Sequence, residues 1–494
     1  MKQIKGLIDI SACSLGFSGI PQDTRRNFSM LKGKIDLDGL IFNETIGSKK
    51  GKFSLLEKTH AKEKLISSTN VLTISGKEAE YLTGNSQKIA RKIKVIRHFL
   101  LGGFMQVLKP GFKPSVELLC SEYDDFFWKR FFSKTLPVSD KGKVDNTIIK
   151  VSSLSKAIIH VKTLLGFRAK IDTKGYDFVL FSEPTIVFPT KGTIKIVRFH
   201  DAIPLTHPHL INDSLSVEYT FNTLVQCVKD DSIFCCNSDE SQKVLHSLFP
   251  EKQIKSYVIP CAISDRSFPN YEGYEVSSII SKYSSFSSLG GFPLEFRDIT
   301  NIDHELCVIP DDGYIITIAN IDPKKNQQAL ISAWDRYRSI YKSNVKLIMV
   351  SSVGWDEDAL FKKMKKHVMH GDLIHLENVS GYDLTALLSQ AKAFVFPSIV
   401  EGFGLGNLEA ARCKCPVITS DIPAHRYVMH ENAFYFNPHS VAEMVDKIAF
   451  VLDNKNVGQV SKVVDSAFSY SERFFSSNVA TAWEKMFLEN IKVS

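Results

Sequence analysis

From residue 393 the chain reads AFVFPSIVEGFGLGNLEA, ending at Ala410. A short apolar strand, 393–397, closes on Pro397 and runs through a turn holding Gly402 and Gly404 into a helix over 406–413, which Gly406 opens. Strand, glycine turn and helix in that order are the repeating unit of a parallel sheet covered by helices. Glycines let the backbone approach a ligand closely. The free N–H groups and dipole of a helix start favour a phosphate or diphosphate there. Glu401 lies in the turn and Glu409 on the helix. A carboxylate accepts paired hydrogen bonds from vicinal hydroxyls, so two of them around a phosphate cradle point to a sugar nucleotide. A glycine-rich turn with solvated acids weighs evenly against that reading, because short glycine motifs recur by chance. The spacing is GxGxG and it comes late in the chain, unlike the GxGxxG of a dinucleotide fold.

The same grammar extends outward. Apolar runs at 314–320 (YIITIAN), 345–351 (VKLIMVS), 373–376, 417–420 and 433–437 alternate with helical spacing at 326–341, 356–368 and 382–390. The first half repeats it more loosely. Strands are expected at 3–11, 178–181, 193–199, 232–236 and 256–259, and helices at 217–227 and 239–248. Four units follow. Residues 1–264 form a Rossmann-like acceptor domain with an insertion over about 38–173. Residues 265–312 form a Ser- and Gly-rich linker, and 313–460 a Rossmann-like donor domain. The C-terminal helices, 461–494, cross back to the first domain. The fold class is α/β, two such domains facing across a cleft.

The 494 residues are 44% hydrophobic and 23% charged, which excludes collagen-like and disordered classes. No apolar stretch is long enough to span a membrane. A net charge of +7 suits an anionic ligand, and no basic motif points to nucleic acid. Nine scattered cysteines predict reduced thiols, not a disulfide framework. The acidic doublets 124–125 and 230–231 are not DxD pairs, and 356–358 (DED) reads as a helix start.

The segment EGFGLGNLEA resembles the E-x7-E motif of family 4 retaining glycosyltransferases of the GT-B fold. Residues 317–326 (TIANIDPKKN), 380–398, 415–426 (CPVITSDIPAHR), 19–25 (GIPQDTR), 199–204 (FHDAIP), 237–240 and 259–268 are similar to family stretches in the same order. The likeness is greatest to members that transfer mannose or rhamnose in bacterial surface polysaccharides. It implies that Glu409 holds the ribose hydroxyls and that Glu401 touches the donor sugar and stabilises oxocarbenium-like charge. It implies that Lys325 neutralises the leaving diphosphate. Asn320 stands where the family usually has Arg, and Lys324 shares the charge. Gly402, Phe403, Gly404 and Leu405 belong to the cradle. His200 is a cleft residue near the donor sugar, and Asp201 orients it or its loop. Gly16, Gly19 and Ile20 bring the acceptor near the donor phosphate. Arg426 is a further donor-cleft candidate, whereas Asn237 and Ser238 read as a helix cap.

The resemblance further implies a GDP-linked donor, a glycan or polyprenyl-linked acceptor, metal-independent front-face substitution without a cofactor, and a cytoplasmic enzyme. The basic amphipathic stretch 88–101 (KIARKIKVIRHFLL before Gly102) suits peripheral contact with the inner face of the membrane, weighed against a core-packed helix. The aromatic stretch 126–132 (FFWKRFF) reads as core. A non-catalytic scaffold subunit that binds sugar nucleotides is the alternative reading; retention of Glu401, Glu409, Lys325 and His200 argues against it.

Overall fold

The computed structural model describes residues 4–14, 16, 19–42, 115–123, 125–152, 154, 159, 169–211, 214–264, 275–287, 308–351 and 358–491. The amphipathic stretch 88–101 and Asp356 and Glu357 lie outside them.

Among the described residues, ten strands belong to the first half. They are β1 (Lys5–Asp9), β2 (Asp36–Phe42), β3 (Ser115–Leu119), β4 (Ile148–Ser152), β5 (Ala169–Lys170), β6 (Phe178–Phe181), β7 (Val187–Phe188), β8 (Ile194–Phe199), β9 (Ile233–Cys236) and β10 (Ser256–Val258). Eight form one sheet in the order β10-β9-β8-β6-β1-β2-β4-β3, while β5 and β7 pair separately. Within the large sheet all pairs are parallel except the edge strand β3 on β4. Every residue of FVLF (β6) and IFCC (β9) is buried, as helices on both faces require.

The second half holds β11 (Tyr314–Ile318), β12 (Lys346–Val350), β13 (Leu373–Leu376), β14 (Ala393–Phe396), β15 (Val417–Ser420) and β16 (Phe434–Phe436). These six lie parallel in the order β13-β12-β11-β14-β15-β16. The order reverses between β11 and β14, so a crevice forms at the C-terminal ends of those two strands. The helices that matter for the site are α1 (Ile20–Lys32), α2 (Asp239–Leu248), α3 (Gln327–Tyr341), α4 (Leu405–Arg412), α5 (Pro423–Met429) and α6 (Ser476–Asn490). The last of these returns to the first sheet. Val479, Trp483, Met486 and Phe487 share a core with Phe28 and Phe178, and the Phe178 and Phe487 rings lie 4.7 Å apart.

Two stretches differ from the sequence reading. Part of 38–173 lies in the main sheet, as β2, β3 and β4. Charged residues inside those strands hide them from an apolar pattern: Asp38 accepts from the Tyr176 hydroxyl at 3.0 Å, and the buried Lys150 stands over the same ring. The linker region contains a helix, Val276–Ser287, whose Ile279, Ile280 and Tyr283 join the core of the second sheet. The 126–132 stretch is core as expected, with Phe126, Phe127, Phe131 and Phe132 buried. Each of the eight described cysteines is free and buried.

Candidate functional site

At the switch point the loops after β11 and β14 are tied together. The Asn326 side chain donates to the carbonyls of Pro397 and Pro438 at 3.2 and 2.8 Å, and Ile399 N donates to the Lys324 carbonyl at 2.8 Å. Asn326 adopts a left-handed conformation, φ 56°, as it starts α3. This stitching brings Lys325 to Glu401: Nζ donates to Oε1 at 2.5 Å, and the Ser398 hydroxyl donates to the same oxygen at 2.6 Å. Burial works to raise the Glu401 pKa. The Lys325 charge, nearby His425 and the two hydrogen bonds outweigh it and hold the carboxyl below its usual range. The site thus carries an ionised glutamate and a lysine at the strand ends.

Gly404 caps α4 with φ 102°, a conformation that favours glycine. It packs on the ring of His425, whose Cδ2 would lie 3.0 Å from an added Cβ. His425 is fully buried, and burial pushes its pKa down to about 4. Its Nδ1 lies within hydrogen-bond distance of Thr419 Oγ1, Ser420 Oγ and the Ser420 carbonyl. Both hydroxyls donate to other carbonyls, those of Phe396 and Ser398. That network assigns the proton to Nδ1. Phe403 and Leu405 turn away from the cradle. Phe403 is buried against Tyr427 and Phe474, and Leu405 packs on the same core, so only their backbones are placed to line the turn.

Across the cleft, His200 follows directly on β8. Its Nε2 lies 3.1 Å from the Ser182 carbonyl, which can only accept, so Nε2 carries the proton and Nδ1 is the acceptor. Burial lowers the His200 pKa although Asp23, 3.9 Å away, opposes this. Asp201 Oδ1 accepts from Ile203 N at 3.0 Å and fixes the loop, the orienting role expected of it. Behind His200, Arg198 grips Asp23 through two bonds of 2.8 and 3.1 Å. Burial would raise the Asp23 pKa, but the Arg198 charge and its hydrogen bonds outweigh this and hold it below its usual range. Asp23, His200 and Cys261 form a trio of metal-ligand type, yet the Arg198 fork already supplies the cation, and burial pushes the Cys261 thiol far up. These residues fit a buried ion pair, not a metal centre.

Gly19 starts α1 with φ 67°, its carbonyl accepting from Gln22 N and Asp23 N. Further along α1 the fully buried Arg25 donates to the carbonyls of Cys13, Gly16 and Phe131. The two halves touch across the cleft, and two of these contacts lie at the site. A Cβ on Gly402 would lie 2.7 Å from the His200 carbonyl oxygen and 3.0 Å from Asp201 Oδ2. Gln22 Nε2 donates to Glu409 Oε1 at 2.6 Å. Beside the first contact lies a cavity of about 330 Å³, lined by Asp201, Ile203, His207, Glu240, Glu401 and Gly402 among others. Its volume falls in the range of small-molecule sites, roughly 300–1,000 Å³.

Arg426 does not fit the donor-cleft role. It pairs with Asp421 at 2.7 and 2.8 Å and with Glu431 at 3.1 Å, and lies over the Tyr435 ring, a surface clamp. Asn320 is exposed, and its carbonyl accepts from Gln327. Lys324 stands 3.7 Å from Asp322. Ser238 and Ser241 form a reciprocal cap on α2, as the sequence implied. Sequence reasoning missed Gln22, Asp23, Arg25 and His425. Charged residues at three of four positions in the first turns of α1, where burial was not foreseen, were the signal available.

The family model described as "Glycosyl transferases group 1" matches residues 298–463. The chain is 32% identical over 134 residues to the serotype-specific mannosyltransferase WbdA of Escherichia coli, covering 27% of this chain and 16% of that protein. It is 23% identical over 268 residues to the O-antigen chain mannosyltransferase B of Escherichia coli, covering 54% and 64%. The chain thus spans less than two thirds of the length of these curated relatives. Among solved structures, Anabaena HepE in complex with UDP and glucose superposes with a TM-score of 0.55 at 12% identity, covering 98% of this chain and all of that one (100%). Sucrose-phosphate synthase from Thermosynechococcus elongatus gives 0.55 at 10% identity, covering 99% of each. The fold is GT-B, with two Rossmann-like sheets.

Proposed function

We propose that this chain is a retaining hexosyltransferase of family 4 type. It moves a mannose-like unit from a nucleoside-diphosphate sugar, GDP-linked, to a growing glycan or polyprenyl-linked acceptor in surface polysaccharide synthesis. The observation that carries this reading is the Lys325–Glu401 pair at the strand switch, with Glu409 on the helix that follows. The names of two relatives, a serotype-specific mannosyltransferase and an O-antigen chain mannosyltransferase, support the sugar and the pathway class.

In this reading the diphosphate draws Lys325 away from Glu401, and the ammonium then neutralises the leaving group. Glu401, freed on one oxygen, accepts from the donor hexose hydroxyls and faces the positive charge that develops at the anomeric carbon. The anomeric carbon–phosphate bond breaks while the acceptor oxygen bonds on the same face. The acceptor proton passes to the departing phosphate oxygen. His200, neutral, with Nδ1 as an acceptor, orients a sugar hydroxyl. No metal and no cofactor take part. Among the described residues no helix is long and apolar enough to cross a membrane. The reading places the protein in the cytoplasm, working peripherally on lipid-linked acceptors.

A thermal-shift panel with GDP, UDP, dTDP, ADP and CMP on the wild type and Glu409→Ala tests it. A ligand at 100 times its Kd stabilises the native state by about 2.7 kcal/mol. GDP is expected to stabilise the wild type and not the variant. Stabilisation by another diphosphate in its place would rename the base. No response to any nucleotide would sink the transferase reading.

A further inference from the structure

Glu409 sits on α4, in the donor half, yet its hydrogen-bond partner comes from the other half. Gln22 Nε2, on the first turn of α1, reaches Oε1 at 2.6 Å, and Gln22 is itself buried. The platform that presents this amide is fixed on both sides. Asp23 is locked to Arg198, and Arg25 is bound to the carbonyls of Cys13, Gly16 and Phe131. Three positions of one helix start therefore hold the His200 region, the 13–16 loop and, through Gln22, the opposite domain.

The chemistry of the contact suits positioning. A carboxylate has about four lone-pair sites, of which Gln22 takes one. The rest stay available to a vicinal diol. The bond is charge-assisted, hence strong and directional. An amide is neutral, so it orients Glu409 without neutralising it, as a lysine in its place would.

We propose that Gln22 is a cross-cleft positioning residue of the donor site: it fixes the Glu409 carboxylate for a ribose, so that site is complete only when the two halves are closed. This rests on the reading of Glu409 as the ribose holder. It makes nucleotide affinity a property of both domains.

The test is calorimetric titration of GDP and UDP into wild type, Gln22→Ala, Gln22→Glu, Glu409→Ala and the Gln22→Ala/Glu409→Ala double variant. The diphosphate that binds wild type is expected to bind Gln22→Ala about tenfold more weakly, the effect of losing one hydrogen bond to a charged group. Gln22→Glu sets two carboxylates against each other and should bind more weakly still. The double variant should be no weaker than Glu409→Ala alone, whereas a merely structural role for Gln22 would lower affinity in either background. Full affinity in Gln22→Ala, or an undiminished Gln22 effect without Glu409, overturns the proposal and leaves the donor-site reading standing. Full affinity in Glu409→Ala breaks that reading itself.

Discussion

Two ion pairs frame the cleft, one from each half, and they are built differently. Asp23 and Arg198 share two hydrogen bonds, and their side chains are 1% and 2% exposed. Lys325 and Glu401 share one, and their side chains are 17% and 11% exposed. The first pair is sealed among Cys235, Ile259 and Cys261, whose atoms take the remaining guanidinium donors. The second opens on the crevice at the strand switch. A sealed pair has no exchange partner, so it serves the fold. An open pair can trade its partner for a phosphate or a sugar hydroxyl, so it serves the ligand.

Breaking the sealed pair is expected to have the largest effect. Asp23→Asn leaves the Arg198 charge buried without a counter-ion, at a cost of about 3–5 kcal/mol of stability. Denaturant unfolding reads this directly. The pH sign follows from the lowered Asp23 pKa: its stabilisation is full above the unfolded carboxyl value and is lost as pH falls through the folded one. The Asn variant should lose that part of the acid dependence. A stability equal to wild type would show that the pair is no more structural than its counterpart.

Lys325→Ala sharpens the contrast from the other side. Glu401 keeps the Ser398 hydroxyl and a path to water, so the stability loss should be only about 1–2 kcal/mol. Transfer activity should fall by roughly 10²–10³-fold, the usual effect of removing a group that stabilises developing charge. Unfolding curves and initial rates on the same samples separate the two. A variant that unfolds early but transfers normally would reverse the assignment of the two pairs.

The sequence read the open pair and missed the sealed one, for a physical reason. Lys325 and Glu401 sit at strand-to-helix turns beside a proline and a glycine, and Glu409 on the helix that follows, where local pattern carries meaning. Asp23 and Arg198 are 175 positions apart, and nothing local to either tells that the other neutralises it. The same limit hid β2 and β4, whose Asp38 and Lys150 break the apolar run because Tyr176 and Glu117 meet them in the fold. His425 and Arg426 are neighbours in the stretch 415–426, and nothing local tells which of them turns inward. Only coordinates show that Arg426 is spent on Asp421 and Glu431 while the histidine is buried behind Gly404.

The smallest effect concerns what holds the two pairs in register. Gly402 is a position where the halves meet closely, and the obstacle to a side chain there is backbone: the His200 carbonyl oxygen would lie 2.7 Å from the new Cβ. A flexible side chain could swing aside, but this carbonyl follows directly on β8, which is hydrogen-bonded on both sides within its sheet. Gly402→Ala is therefore relieved only by parting the halves by a few tenths of an ångström or more. Each half keeps its own core, so thermal unfolding should move little. The distance between Glu401 and His200, set by closure, should lengthen, and kcat/KM should drop by about tenfold, in line with the sensitivity of catalysis to small misplacements. Distance measurements between spin labels on the two halves, made beside the kinetics, distinguish this from local damage. Reduced activity with unchanged separation would mean that the glycine serves the ligand, and unchanged activity would mean that the closure drawn by Gly402 and His200 is not the working one.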